Sequence, residues 1–194
     1  YIEYTVDNPY TQVTILHDGS PVNDGETLHY GDTVEITYTP TEGYDMTSFN
    51  ISGATLVSGD TYRITGNLTV TYTETLQIYT ITIESNNTSY GTVDESTLSF
   101  PYGTTYQVEG NDLVFSNGAR VTPTPASSDA QYTYTFTGWS ETSGTIIGEE
   151  TIIANFERIT NSYIVTIENE NADYGSIDNM SITVPYGTVY RVEN

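Results

Sequence analysis

Few residues of this chain could do chemistry, and their spacing decides what that chemistry would be. The two histidines, His17 and His29, flank the turn pairs Asp18-Gly19 and Asp24-Gly25. Brought together across a hairpin, they could hold a metal ion with Asp18. No ligand spacing such as H-x-x-x-H accompanies them, so a pair of ordinary surface imidazoles is the preferred reading. The stretch Asn-Glu-Asn-Ala-Asp at 169–173 alternates oxygen-bearing side chains, as calcium loops do. An earlier stretch of the same type, Ser85-Asn-Asn-Thr-Ser89, has no carboxylate, and a solvated polar loop is preferred. Trp139 and the 18 tyrosines invite a sugar-stacking reading. Against it stands the core, where large aromatics dominate the energetics of small domains. Trp139 is expected there with Tyr79, Tyr132 and Tyr134 beside it, and some of the remaining tyrosines must lie exposed. A covalent staple is also conceivable: an ester between a threonine hydroxyl and a glutamine carboxamide, with Gln12, Gln77, Gln107 and Gln131 as partners. Spacing selects no pair among them. No catalytic, metal-binding or cofactor-binding residue is assigned from the sequence, no cofactor is expected, and the ligand-binding residues stay undefined.

The elements that must position these residues are strands. Val34, Ile36 and Tyr38 alternate with Thr33, Glu35, Thr37 and Thr39. Tyr132, Tyr134 and Phe136 alternate with threonines, as do Tyr79, Ile81 and Ile83. A period of two puts aromatic and β-branched residues on one face of a half-buried sheet. No run of ten or more residues has helical spacing, and a segment such as 44–50 could form a helical turn or two at most. Candidate reversals are Asp18-Gly19, Asp24-Gly25, Tyr30-Gly31, Tyr102-Gly103 and Tyr186-Gly187. Asn117-Gly118 predicts a hairpin closed by a type I′ turn. Thr122-Pro-Thr-Pro125 should end its second arm, because proline cannot donate to a ladder, with an exposed loop over 126–131.

Much of 79–109 is written twice. Tyr79-Thr-Ile-Thr-Ile-Glu84 returns as Tyr163-Ile-Val-Thr-Ile-Glu168, Tyr90-Gly91 as Tyr174-Gly175, Pro101-Tyr-Gly-Thr104 as Pro185-Tyr-Gly-Thr188, and Tyr106-Gln-Val-Glu109 as Tyr190-Arg-Val-Glu193. Every pair is separated by 84 positions (174 − 90, 190 − 106). A strict period of this length predicts tandem copies of one folding unit. The first copy is a more distant relative. Tyr10-Thr-Gln-Val-Thr-Ile15 parallels Tyr79–Ile83, Tyr30-Gly31 parallels Tyr102-Gly103, and Ile64, Gly66, Thr69 and Val70 parallel Ile146, Gly148, Thr151 and Ile152. The expected organisation is a divergent module over 1–76, a complete module over 77–160, and the first part of a third over 161–194. The joints lack Gly and Pro, which predicts a stiff series rather than loosely tethered beads. The third copy reads as part of a longer array.

Charge narrows the partners. The formal charge is −22 from 26 acidic residues and only four bases, Arg63, Arg120, Arg158 and Arg191. Such a surface repels phosphate backbones and anionic lipid, so nucleic acid is disfavoured. No apolar run approaches the ~20 residues of a membrane span. Cysteine is absent, which excludes disulfides and thiolate chemistry. Acceptor patterns Asn-X-Ser/Thr at Asn50, Asn67, Asn86, Asn87 and Asn179 are compatible with secretion.

The order of these motifs resembles the internalin-type B repeats, and more closely the divergent form of the Listeria–Bacteroides repeat. The resemblance is carried by Tyr102-Gly103, Pro123, Phe136-Thr-Gly-Trp139 and the closing strand 151–157. In the first module it is carried by Tyr30-Gly-Asp-Thr-Val-Glu-Ile36, Pro40, Gly43-Tyr44 and 64–74. It implies a secreted or cell-surface prokaryotic protein in which tandem modules act as spacers or adhesive units. The fold it implies is all-β or β-rich and related to β-grasp, and the missing helical run leaves a plain small sheet or sandwich open. The function expected is a non-catalytic stalk, its partners neighbouring modules and end-to-end copies of itself. The alternative is an adhesive module recognising glycan or host protein through exposed tyrosines.

Overall fold

A computed structural model describes residues 2–8 and 10–191. The chain is all-β: besides strands, the described residues contain a single 3-10 turn, Ala172–Tyr174. It divides into two compact units, Tyr1–Ile78 and Tyr79–Asn194.

The first unit is built from β1 (Glu3–Asp7), β2 (Val13–His17), β3 (Ser20–Pro21), β4 (Thr27–His29), β5 (Thr33–Tyr38), β6 (Tyr44–Ser58) and β7 (Thr61–Leu76). They form one mixed sheet in the order β3-β2-β5-β7-β1-β4, with β6 also on β7. The alternation seen in the sequence is the burial pattern of β5, where Val34 and Ile36 are buried and Thr33, Glu35 and Thr37 exposed. Val6, Ile15, Leu28, Ile64, Leu68 and Val70 complete the core around them. The segment 44–50 makes no helical turn. It opens a 15-residue strand paired with β7 from Tyr44↔Leu76 to Ser58↔Thr61. Three register shifts interrupt that ribbon, near Thr47, Gly53 and Val57, so both faces can follow the sheet's twist.

The second unit contains β8 (Ile78–Ser85), β9 (Gly91–Val93), β10 (Thr97–Pro101), β11 (Thr105–Glu109), β12 (Asp112–Phe115), β13 (Arg120–Val121), β14 (Pro123–Pro125), β15 (Tyr132–Trp139), β16 (Ser143–Thr145), β17 (Glu150–Thr160), β18 (Ser162–Thr166) and β19 (Ser181–Pro185). One four-stranded sheet runs β10-β8-β17-β15 and another β13-β12-β11-β16. Their buried faces share a core of Ile81, Ile83, Phe100, Tyr106, Leu113, Phe115, Ile146, Ile152 and Phe156.

Two local expectations are corrected here. The turn after β12 is not type I′: only Gly118, at φ 90°, has positive φ, and Asn117 does not. Gly118 N–H donates to Phe115 O at 2.8 Å and Phe115 N–H to Ala119 O at 2.9 Å, which describes a type I turn followed by a glycine bulge. Asn117 serves through its side chain instead, its Oδ1 accepting from Ala119 N–H at 3.0 Å. The Thr-Pro-Thr-Pro segment does not merely stop an arm; Pro123–Pro125 is itself a strand, paired with β9. Asp94 N–H donates to Thr122 O and Ala126 N–H to Tyr90 O, so the ladder bonds fall on alternate residues, and both prolines sit where no donor is required.

The two units share a strand order. β4-β1-β7-β6 in the first corresponds to β10-β8-β17-β15 in the second, with β1 parallel to β7 and β8 parallel to β17. The glycine after each Tyr-Gly turn makes the same contact: Gly31 N–H donates to Ile64 O at 2.9 Å, and Gly103 N–H to Ile146 O at 2.7 Å. This topology reassigns the first strand. The counterpart of β8 is β1, with Tyr4-Thr-Val6 in the place of Tyr79-Thr-Ile81, while Val13–His17 pairs with β3 and β5 as a separate strand. The similarity of 10–15 to 79–83 is one of alternation, which any half-buried strand shows.

Segment 162–188 repeats several local hydrogen bonds of 78–104. Ile83 N–H donates to Ser96 O and Ile167 N–H to Met180 O, both at 2.9 Å. Gly103 and Gly187 take φ 82° and 83° after their tyrosines. Ser89 N–H donates to Asn87 Oδ1 and Asp173 N–H to Asn171 Oδ1, both at 3.0 Å. What differs is burial. Ile83 is fully buried and Ile167 is 42% exposed; Tyr106 is 5% exposed and Tyr190 83%. β18 and β19 form a two-stranded sheet, and among the described residues no strand takes the place that β17 has beside β8. Val192 and Glu193 of the repeat lie outside the described residues.

Candidate functional site

The two histidines do meet, but on another residue. His17 ends β2 and His29 ends β4, and both face Asp32 Oδ2, at 3.7 Å from His17 Nε2 and 3.5 Å from His29 Nδ1. Asp18, the partner suggested by sequence, is 91% exposed and 3.9 Å from His17. Asp32 lies only three residues beyond His29, and the pairing of His17 with Val34 brings the second imidazole to it. Its Oδ2 already accepts from His29 N–H at 2.8 Å, and among the described residues no three side chains converge as metal ligands. The 169–173 stretch likewise turns its oxygens on its own backbone: Asn169 Oδ1 accepts from Asn171 N–H, and Asn171 Oδ1 from Asp173 N–H.

Trp139 is 7% exposed and part of the second core, with its Nε1–H donating to Asn111 O at 2.8 Å. A register shift between Phe136 and Gly138 places it there. Without that extra residue, positions 136 and 139 would face opposite sides; with it, the two rings meet edge to face at 5.6 Å. Tyr79 packs against the same core, as expected. Tyr132 and Tyr134 do not pack on Trp139. Tyr132 takes the Arg158 guanidinium over its ring at 4.1 Å, Tyr90 takes it at 5.3 Å, and Tyr134 packs on Tyr90. Exposed tyrosines include Tyr30, Tyr174, Tyr186 and Tyr190.

One cluster combines a nucleophile, an acyl group and a base. Gln12 stands at the entry to β2, Thr41 follows β5, and Tyr72 and Glu74 lie on β7. Backbone pairing draws these ends together, since Thr39 N–H donates to Gln12 O at 2.8 Å. Gln12 Nε2 then lies 3.2 Å from Thr41 Oγ1. Gln12 Oε1 accepts two hydroxyls, from Tyr72 at 2.6 Å and from Thr11 at 3.1 Å. Glu74 Oε1 accepts the backbone N–H of Thr41 at 2.8 Å and the hydroxyl of Tyr38, which sets the carboxylate beside Thr41. The hydrogen bond from Tyr38 holds the Glu74 carboxyl below its ordinary range, so it is ionised at neutral pH. Burial, then Glu74, pushes Tyr38 up to about 12, and burial also raises Tyr72. Tyr10 and Phe49 flank the group, with Tyr10 on Tyr72 at 4.4 Å and Phe49 on Tyr38 at 5.6 Å.

Glu74 and Tyr72 point to the same face of β7 as the buried Leu68 and Val70. Their counterparts at the constant separation of 82 (146 − 64) are Phe156 and Ala154, both core residues. The strand position therefore asks for apolar side chains, and the first unit places a carboxylate and a phenol there instead. The remaining glutamines lack this setting. Gln77 Nε2 donates to Asp45, Gln107 Nε2 to Glu109 and Gln131 Nε2 to the Tyr132 hydroxyl. Sequence offered Gln12 as one of four, but nothing local announces Thr41, 29 positions away, or Glu74, 33 beyond that. The chain matches no protein-family model, no curated protein and no solved structure, so its function is read from its own geometry.

Proposed function

We propose that the chain is a structural repeat segment of a secreted or cell-surface prokaryotic protein. It serves as stalk or spacer, performs no catalysis on an external substrate, and resembles divergent Listeria–Bacteroides repeats in organisation. The observation that carries this reading is the recurrence of one strand order in both units, with its first two strands written again at 162–185. Repetition of one block serves reach and stacking. It serves a unique catalytic pocket poorly, because the residues of such a pocket must differ from copy to copy. The acidic surface supports the reading too, since like charge keeps long arrays soluble.

A glycan array and a pull-down against host surface proteins test it, using the whole chain. Blank results are expected. Specific binding that disappears when Tyr30 and Tyr44 are replaced by serine would replace the stalk with the adhesive reading, which their exposure supports.

A further inference from the structure

We propose that Thr41 and Gln12 form an intramolecular ester that staples the first unit, with Glu74 as base and the Tyr72 and Thr11 hydroxyls stabilising the oxyanion. The inference stands apart from the stalk reading, since it needs only the geometry of 1–78.

The step is an acyl transfer from nitrogen to oxygen. Glu74 takes the Thr41 hydroxyl proton as Oγ1 attacks Cδ of Gln12, one bond from the Nε2 that already touches Oγ1 at 3.2 Å. The terminal torsion of glutamine is soft, so the carboxamide plane can tilt to present the face of Cδ to the nucleophile at small cost. Negative charge develops on Oε1, where two hydroxyl donors are already aimed. Collapse breaks the Cδ–Nε2 bond, and the proton held by Glu74 goes to the departing nitrogen. The products are the Cδ–Oγ1 ester and one ammonia; no oxidant, metal or co-reactant enters. An amide is the more stable acyl group, and two things offset this. Holding the groups in contact gives a high effective concentration, and ammonia is lost to bulk water. Nucleophile, base and oxyanion donors within reach of one acyl carbon are the parts that acyl transfer requires.

The test is the intact mass of the folded full-length chain. It should be lighter than the sequence mass by one ammonia. Digestion by a glutamate-specific protease should leave the Gln12 and Thr41 segments joined, although Glu26 and Glu35 lie between them. Hydroxylamine should part them. Thr41→Ser should keep the deficit and Thr41→Ala should lose it. That variant also excludes a succinimide at Asn117-Gly118, which would shed ammonia as well. Glu74→Gln should slow formation roughly a hundredfold. Tyr72→Phe, which keeps the ring, should slow it in the same direction and serves if Glu74→Gln fails to fold. A folded wild-type chain at its full sequence mass, with Gln12 and Thr41 recovered in separate unmodified peptides, would overturn the proposal. So would a deficit that persists in Thr41→Ala.

Discussion

At the scale of single residues, identical sequence types do different work according to what covers them. Ile83 and Ile167 occupy the same place in a repeated hydrogen-bond pattern, yet one is fully buried and the other 42% exposed. Ile83→Ala should therefore destabilise the second unit by about 3–4 kcal/mol, the cost of a cavity in a packed core. Ile167→Ala should change stability by less than about 0.5 kcal/mol. Denaturant titration of the two variants checks this, and equal effects would refute it. Tyr106 carries a pH dependence. Burial and then the neighbouring Glu150 push its hydroxyl from 10.0 to about 12. The folded state holds that proton more tightly than the unfolded chain does. Its contribution is therefore whole below pH 10 and is lost as pH rises from 10 towards 12. Alkaline melts of the second unit should show that loss, and Tyr106→Phe should reduce it.

At the scale of elements, strand irregularities do the positioning. In β6, Gly53 takes φ 79° at a register shift, and a Cβ there would lie 1.8 Å from Asn67 O. Gly53→Ala should cost the first unit more than about 2 kcal/mol through strain and a displaced strand, measurable as a fall in its thermal midpoint. In β15 the extra residue at Thr137-Gly138 aims Trp139 inward, which removes its ring from any sugar-stacking surface. Most of the strand content was legible in the sequence because alternation is written residue by residue. The turn at Asn117-Gly118 was half legible: its place was clear, but its type depended on where the strands' register put positive φ.

At the scale of the whole molecule, the second core draws, among the described residues, on those between Ile81 and Phe156, with partly buried neighbours from Tyr79 onward. Residues after 161 add hydrogen bonds at its margin, such as Tyr163 to Ala130 O. A chain ending at Asn161 should therefore keep the melting transition of the second unit within a few degrees, at a cost below about 1 kcal/mol. A large loss on calorimetry would mean that 162–191 belongs to that core. The repeat separation of 84 was plain in the sequence, as was the smaller match near Ile64 and Ile146. The candidate site was barely legible, because its members sit on separate strand ends.

The amino-acid sequence by itself determined the all-β character and the recurring turns, because both are local. A Tyr-Gly reversal or an asparagine accepting from the N–H two residues on depends on a handful of neighbours, so equal words fold into equal pieces at 84 positions' distance. Tertiary structure alone decided which strand of the first unit stands in for β8. It also decided that His17 reaches Asp32, and that Gln12, Thr41, Tyr72 and Glu74 converge. Those contacts join residues up to 60 positions apart. They form only when sheet order and shared burial repay the entropy of closing long loops, which no short window of sequence records.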